Sequence, residues 1–65
     1  MLPHEQRVVD ESNELRVKLA ALDNFIETDL FNGLPDADKI LLLNQQDVMA
    51  VYLNILRRRI IRFST

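Results

Sequence analysis

The sequence predicts an all-α protein: an antiparallel two-helix hairpin that assembles into a homo-oligomeric helical bundle. Three observations predict it. Two long runs free of glycine and proline flank a single break. Apolar residues recur in each run at alternating spacings of three and four, the heptad-type pattern of helices packed at a shallow angle. The second run also carries more apolar side chains than one neighbouring helix can cover.

The elements follow in chain order. Pro3 suits the first turn of a helix, where its missing N–H costs nothing, and a helix is predicted over about residues 3–28. Residues 29–35, Asp29-Leu30-Phe31-Asn32-Gly33-Leu34-Pro35, form the break, with the only glycine of the chain and the second of its two prolines. Gly33 can take a positive φ at low cost, and Pro35 reads as the first residue of a second helix over about 36–63. Asp36 and Asp38 then fall in its first turn and arginines in its last turns, both the favourable sign for the helix dipole. No linker, repeat or low-complexity tract divides the 65 residues, so one domain spanning 1–65 is expected.

Val8, Glu11, Leu15, Lys18, Leu22 and Phe25 define the expected seam of the first helix. Leu42, Gln45, Met49, Tyr52, Leu56, Arg59 and Phe63 define that of the second. A short connection makes sequential helices antiparallel. Phe25 is therefore expected near Leu42, Leu22 near Gln45, Lys18 near Met49, Leu15 near Tyr52 and Glu11 near Leu56, with Phe31 and Leu34 capping the closed end.

Beyond its seam the second helix carries Leu41, Val48, Val51 and Ile55 on one flank and Leu43, Leu53, Ile60 and Ile61 on others. Each such side chain left wet forfeits about 1.5–3 kcal/mol that burial would supply. A chain this small also hides only about 60% of its unfolded surface by itself. It has no cysteine for disulfides or thiolate zinc sites, and its one histidine, His4, has no second imidazole with which to share a metal. Self-association, with second helices central and the more polar first helices outside, is the remedy left.

Charge and hydropathy bound the setting. Residues 1–33 hold seven acids and three bases, and residues 34–65 three acids and five bases. The basic excess is Arg57, Arg58, Arg59 and Arg62, a local patch rather than the strongly basic balance of a nucleic-acid binder. No run approaches the roughly 18 apolar residues of a membrane span, and the first residues lack the apolar core of a secretory signal. A soluble intracellular product is expected, with no membrane partner.

The seam residues Glu11, Lys18, Gln45, Tyr52 and Arg59 stand where an optimised core would have leucine. One reading is structural: Glu11 or Glu14 pairs with Arg59, Tyr52 bonds to a neighbour, and Gln45 sets register or oligomer state. The other is a ligand pocket shared between protomers. There Lys18, Arg58 and Arg59 offer donors to an anion, Tyr52 a ring for stacking, and Gln45 a paired donor and acceptor for a base edge. Arg57, Arg58 and Arg59 cannot share one face, since successive helical residues point about 100° apart.

No catalytic or cofactor signature competes with these readings. Ser12 and Ser64 have no histidine expected nearby, a glycine-rich phosphate loop is impossible with one glycine, and Asp36 and Asp38 lack the rest of a calcium loop. A non-enzymatic protein without cofactor or metal is expected.

The string Glu14-Leu15, Lys18-Leu19, Leu22, Phe25-Ile26, Phe31, Leu34-Pro35, Leu41-Leu42, Gln45, Met49, Tyr52, Ile55-Leu56 and Arg59-Ile60 resembles a widespread family of very short phage-encoded helical proteins, related to a small protein of crAss-like phages. The resemblance spans residues 7–60, with one departure at Ser12, where members often carry lysine. It implies a phage or prophage accessory protein acting in the host bacterial cytoplasm, and no particular activity. Joined to the polar seam residues, it leads to the expectation of a counter-defence protein that sequesters a nucleotide-derived immune signal at pockets between protomers. The competing expectation is a module whose apolar flank docks on and inhibits a host protein. Nucleic-acid binding through the arginines ranks third, against the acidic remainder.

Overall fold

The computed structural model describes residues 1–64; Thr65, the last residue of the expected domain, lies outside them. Among the described residues there are three helices: α1 over Pro3–Ile26, α2 over Asp29–Asn32 and α3 over Asp36–Arg62. The two long helices pack along their length into a rod of 46 × 15 × 14 Å. They run antiparallel, because Glu11 near the start of α1 bonds to Tyr52 in the second half of α3, while Asp23 near the end of α1 bonds to Gln46.

Helix ends follow local chemistry. Pro3 opens α1, and the Glu5 carboxylate reaches back to accept from the Leu2 N–H at 2.9 Å, satisfying one orphan donor of the first turn. After α1, Thr28 joins two turns. Its hydroxyl donates to the Phe25 carbonyl at 2.6 Å and accepts from the Phe31 N–H at 3.3 Å, capping the short α2 inside the expected break. Phe31 is thereby folded under the hairpin, buried and edge-on to Phe25 with ring centroids 6.2 Å apart. Its position at the closed end agrees with expectation. Two details differ. Gly33 has φ −81°, an ordinary right-handed value, so no left-handed turn is needed there. Pro35 precedes α3 rather than opening it, with an extended ψ of 147° and its carbonyl accepting from Asp38 and Lys39.

The largest correction concerns the seam. The residues turned inward on α3 are Leu42, Gln46, Met49, Leu53, Leu56 and Ile60, with Phe63 just after it, and on α1 Val8, Ser12, Leu15, Leu19, Leu22, Phe25 and Ile26. Leu56 is fully inaccessible and Leu53 nearly so. Four of the six expected positions on the first helix and four of the seven on the second are right; the others are replaced by the next residue along. Glu11 and Lys18 give way to Ser12 and Leu19, and Ile26 joins Phe25 at the closed end, while Gln45, Tyr52 and Arg59 give way to Gln46, Leu53 and Ile60. Each helix is turned by about 50° from the expected frame. The reason is desolvation. The expected frame buries a carboxylate, an ammonium and a guanidinium, which costs several kcal/mol per unpaired ion. The adopted frame buries leucine and isoleucine, worth about 1.5–3 kcal/mol each. The axial register is close to expectation: Tyr52 meets Glu11, one turn from Leu15, and Gln46 meets Asp23 where Leu22 and Gln45 were expected to meet.

Candidate functional site

The rotation carries the polar heptad residues out of the core on both helices, and in an antiparallel pair it carries them to the same edge. The Tyr52 phenol donates to the Glu11 carboxylate across that edge. Lys18 lies two turns along α1 from Glu11 on the same face, about 10 Å away, and Gln45 and Arg59 lie two turns either side of Tyr52 on α3. Four of the five expected ligand residues, Lys18, Gln45, Tyr52 and Arg59, therefore share one edge of the hairpin. The fifth, Arg58, is exposed one residue further round α3.

Tyr52 anchors this edge. Its phenol is held above the ordinary value of 10.0, first by the hydrogen bond to Glu11, then by desolvation and by the negative charge of Glu11, with Arg59 opposing. Arg59 is thus within electrostatic reach of the ring, while Glu11, one of the two acids offered to it, is taken by Tyr52. The amide nitrogen of Gln45 donates at 3.7 Å to the Met49 sulfur, a weak acceptor, which leaves that amide able to take a better partner.

Beside the polar edge α3 carries an apolar strip. Val48, Val51, Tyr52 and Ile55, with Asp47, border an open groove of about 420 Å³, and Leu41 continues the strip two turns toward the closed end. Val48 is 68% exposed and Leu41 65%. On α1 a second shallow groove is bordered by Asn13, Glu14, Val17 and Lys18. Both open to solvent on one side, so a single chain offers a ligand a wall and not an enclosure. Among the described residues no three carboxylate or imidazole side chains converge to hold a metal ion, and no helix is long and apolar enough to cross a membrane.

Sequence reasoning missed the Asp23–Gln46 bond, 2.6 Å long on the opposite edge. Its signal was available in the adjacent amides Gln45 and Gln46, only one of which can face the partner helix. Tyr52 was expected to bond to a neighbour, and that neighbour is Glu11, one of the two acids offered to Arg59.

The comparisons with known proteins cover nearly the whole chain. The family described as Sequestin matches residues 2–62. An uncharacterized 7.5 kDa protein from the denB–rIIB intergenic region of Enterobacteria phage T4 is 35% identical over 63 residues, which is 97% of this chain and 98% of that protein. No solved structure matches the chain significantly. The resemblance to a family of small phage proteins stands, and the chain belongs to the Sequestin family.

Proposed function

We propose that this Sequestin-family chain is a non-enzymatic phage counter-defence protein, acting in the host bacterial cytoplasm, that sequesters a nucleotide-derived immune signal between protomers. The family name points to sequestration, a binding role rather than a catalytic one. The observation that carries the ligand class is the edge itself. Tyr52 presents a ring at the border of an apolar groove, with Arg59 and Gln45 each two turns away on either side and Lys18 on the facing helix. A nucleotide needs those partners: a flat apolar contact and an amide for the base, and cations for phosphates. Arg58, about 100° round α3 from Arg59, lies off that edge and supplies a cation only where a second copy brings it alongside. Sequestration requires no chemistry on the ligand, only enclosure, and a second copy supplies the missing walls.

Calorimetric titration with cyclic dinucleotides, cyclic trinucleotides and ADP-ribose derivatives tests this reading. A saturable response from one class, weakened at least tenfold by Tyr52→Ala or Arg59→Ala, supports it; no response from any of the three ends it.

A second reading has its own observation. The strip Leu41, Val48, Val51 and Ile55 is the kind of surface that docks on another protein, and a host enzyme or transcription factor inhibited through it would also serve a phage. Light scattering separates the two: a stable multimer of the pure protein favours sequestration, and a monomer favours a host target.

A further inference from the structure

The exposed strip on α3 is part of a second complete heptad frame. Leu41, Gln45, Val48, Tyr52, Ile55, Arg59 and Arg62 alternate by four and three along the helix, one residue out of step with the buried seam of Leu42, Gln46, Met49, Leu53, Leu56, Ile60 and Phe63. A helix with two adjacent heptad frames is built to pack on two helices at once. The first frame is occupied by α1. In the second, Tyr52 reaches Glu11 of α1, while the apolar members Leu41, Val48 and Ile55 face solvent.

Charge says what occupies it. Along this frame one residue type follows another every seven positions: Asp38, Gln45, Tyr52, Arg59. Laid against itself in parallel, the series stacks acid on acid and base on base. Laid antiparallel, it is complementary to itself: Asp38 meets Arg59, Gln45 meets Tyr52, and Leu41 meets Ile55, with the two-fold axis beside Val48. A two-fold interface must be self-complementary in this way. It also sets the two helix dipoles head to tail.

We infer that a second copy of this chain docks antiparallel along α3, through Leu41, Val48 and Ile55, with Asp38 of each copy paired to Arg59 of the other. The partner copy then contributes to the candidate site. Gln45 of one chain stands beside Tyr52 of the other, so each dimer holds two equivalent composite edges. In each, a phenol and an arginine come from one chain and an amide from the other. Only this last consequence rests on the nucleotide reading; the dimer itself requires no ligand.

The absence of cysteine from the chain gives a clean test. Val48→Cys, an exposed change that leaves the hairpin core untouched, is expected to yield a disulfide-linked dimer on mild oxidation, because the bond needs Cα atoms within about 7 Å. Asn54→Cys, exposed on another face of α3, is expected to remain monomeric under denaturing electrophoresis. Sedimentation equilibrium supplies the second arm. Asp38→Arg or Arg59→Asp alone is expected to weaken self-association on the order of tenfold, and the two together in one chain to restore it to within about threefold. Failure of V48C to cross-link, equal cross-linking by N54C, a monomeric protein, or no rescue in the double variant would overturn the inference. None of these readouts contains a nucleotide. Lost cross-linking with intact ligand binding therefore removes this dimer and leaves the ligand reading, whereas an intact dimer that is silent in calorimetry does the reverse.

Discussion

Two strips of α3, one residue apart, have nearly the same composition and opposite fates. The inner strip of Leu42, Met49, Leu53, Leu56 and Ile60 is turned to α1, and Leu56 in it is fully inaccessible. The outer strip of Leu41, Val48, Val51 and Ile55 faces solvent in the single chain. Hydrophobicity does not separate them. What does is the company each keeps: the outer frame carries Gln45, Tyr52 and Arg59, the inner one only Gln46. A polar residue every second turn is tolerable at an interface that also binds something and expensive in a core that must be dry. The inner strip therefore makes the fold, and the outer one is left exposed to serve the assembly and recognition proposed above.

The sharpest break of this comparison is a pair of neighbouring truncations. Leu56→Ala opens a hole at the most buried point and is expected to cost about 2–5 kcal/mol of hairpin stability in chemical denaturation. Ile55→Ala, one residue away, is expected to change the stability of the dilute protein by about 0.5 kcal/mol or less while weakening its self-association. Equal losses from the two would erase the distinction between the strips. On the edge opposite the candidate site, Asp23→Ala removes the bond to Gln46 and is expected to cost about 0.5–1 kcal/mol by the same measurement.

Gly33→Ala probes the turn that both strips depend on. The glycine sits in the right-handed region, and a Cβ there would meet the Asp29 and Leu30 carbonyl oxygens at 3.6 Å, ordinary contact. The substitution is expected to raise thermal stability by about 0.4–1 kcal/mol, through a less flexible unfolded chain. A loss would mean that the turn requires glycine after all.

The smallest effect is a titration. Tyr52 is the only tyrosine, so its phenolate absorbance can be followed alone. Its pKa is raised in the folded chain, so the hairpin favours the protonated phenol. That contribution to stability is complete below the ordinary value of 10.0 and is lost as pH rises through the raised one. Glu11→Ala removes the principal cause, the hydrogen bond, and the midpoint is expected to fall toward or below the ordinary value, with Arg59 left to act alone. An unchanged midpoint would detach Glu11 from the site.

Much of this architecture was legible in the residues. Pro3, the Gly33–Pro35 break and the aspartates after it announce two helices and a reversal, because each signal acts locally on backbone geometry or on the dipole. The short α2 was not legible: it depends on Thr28 bridging Phe25 and Phe31 together with the packing of the Phe31 ring against Phe25 under the hairpin. Of the candidate site, the residue types and their heptad spacing were readable. Their placement on one edge was not.

What the sequence by itself determined is that two long helices exist, that they fold back on one another near Gly33, and that α3 has more apolar surface than α1 can cover. Those properties follow from short-range chemistry and from composition. Only the tertiary structure decided which of two interleaved frames is buried. Both frames share their register along the axis and differ by a modest rotation, so periodicity favours neither. The choice falls to the cost of dehydrating Glu11, Lys18 and Arg59 against the gain from hiding Leu19, Leu53 and Ile60, and that balance exists only when the two helices meet.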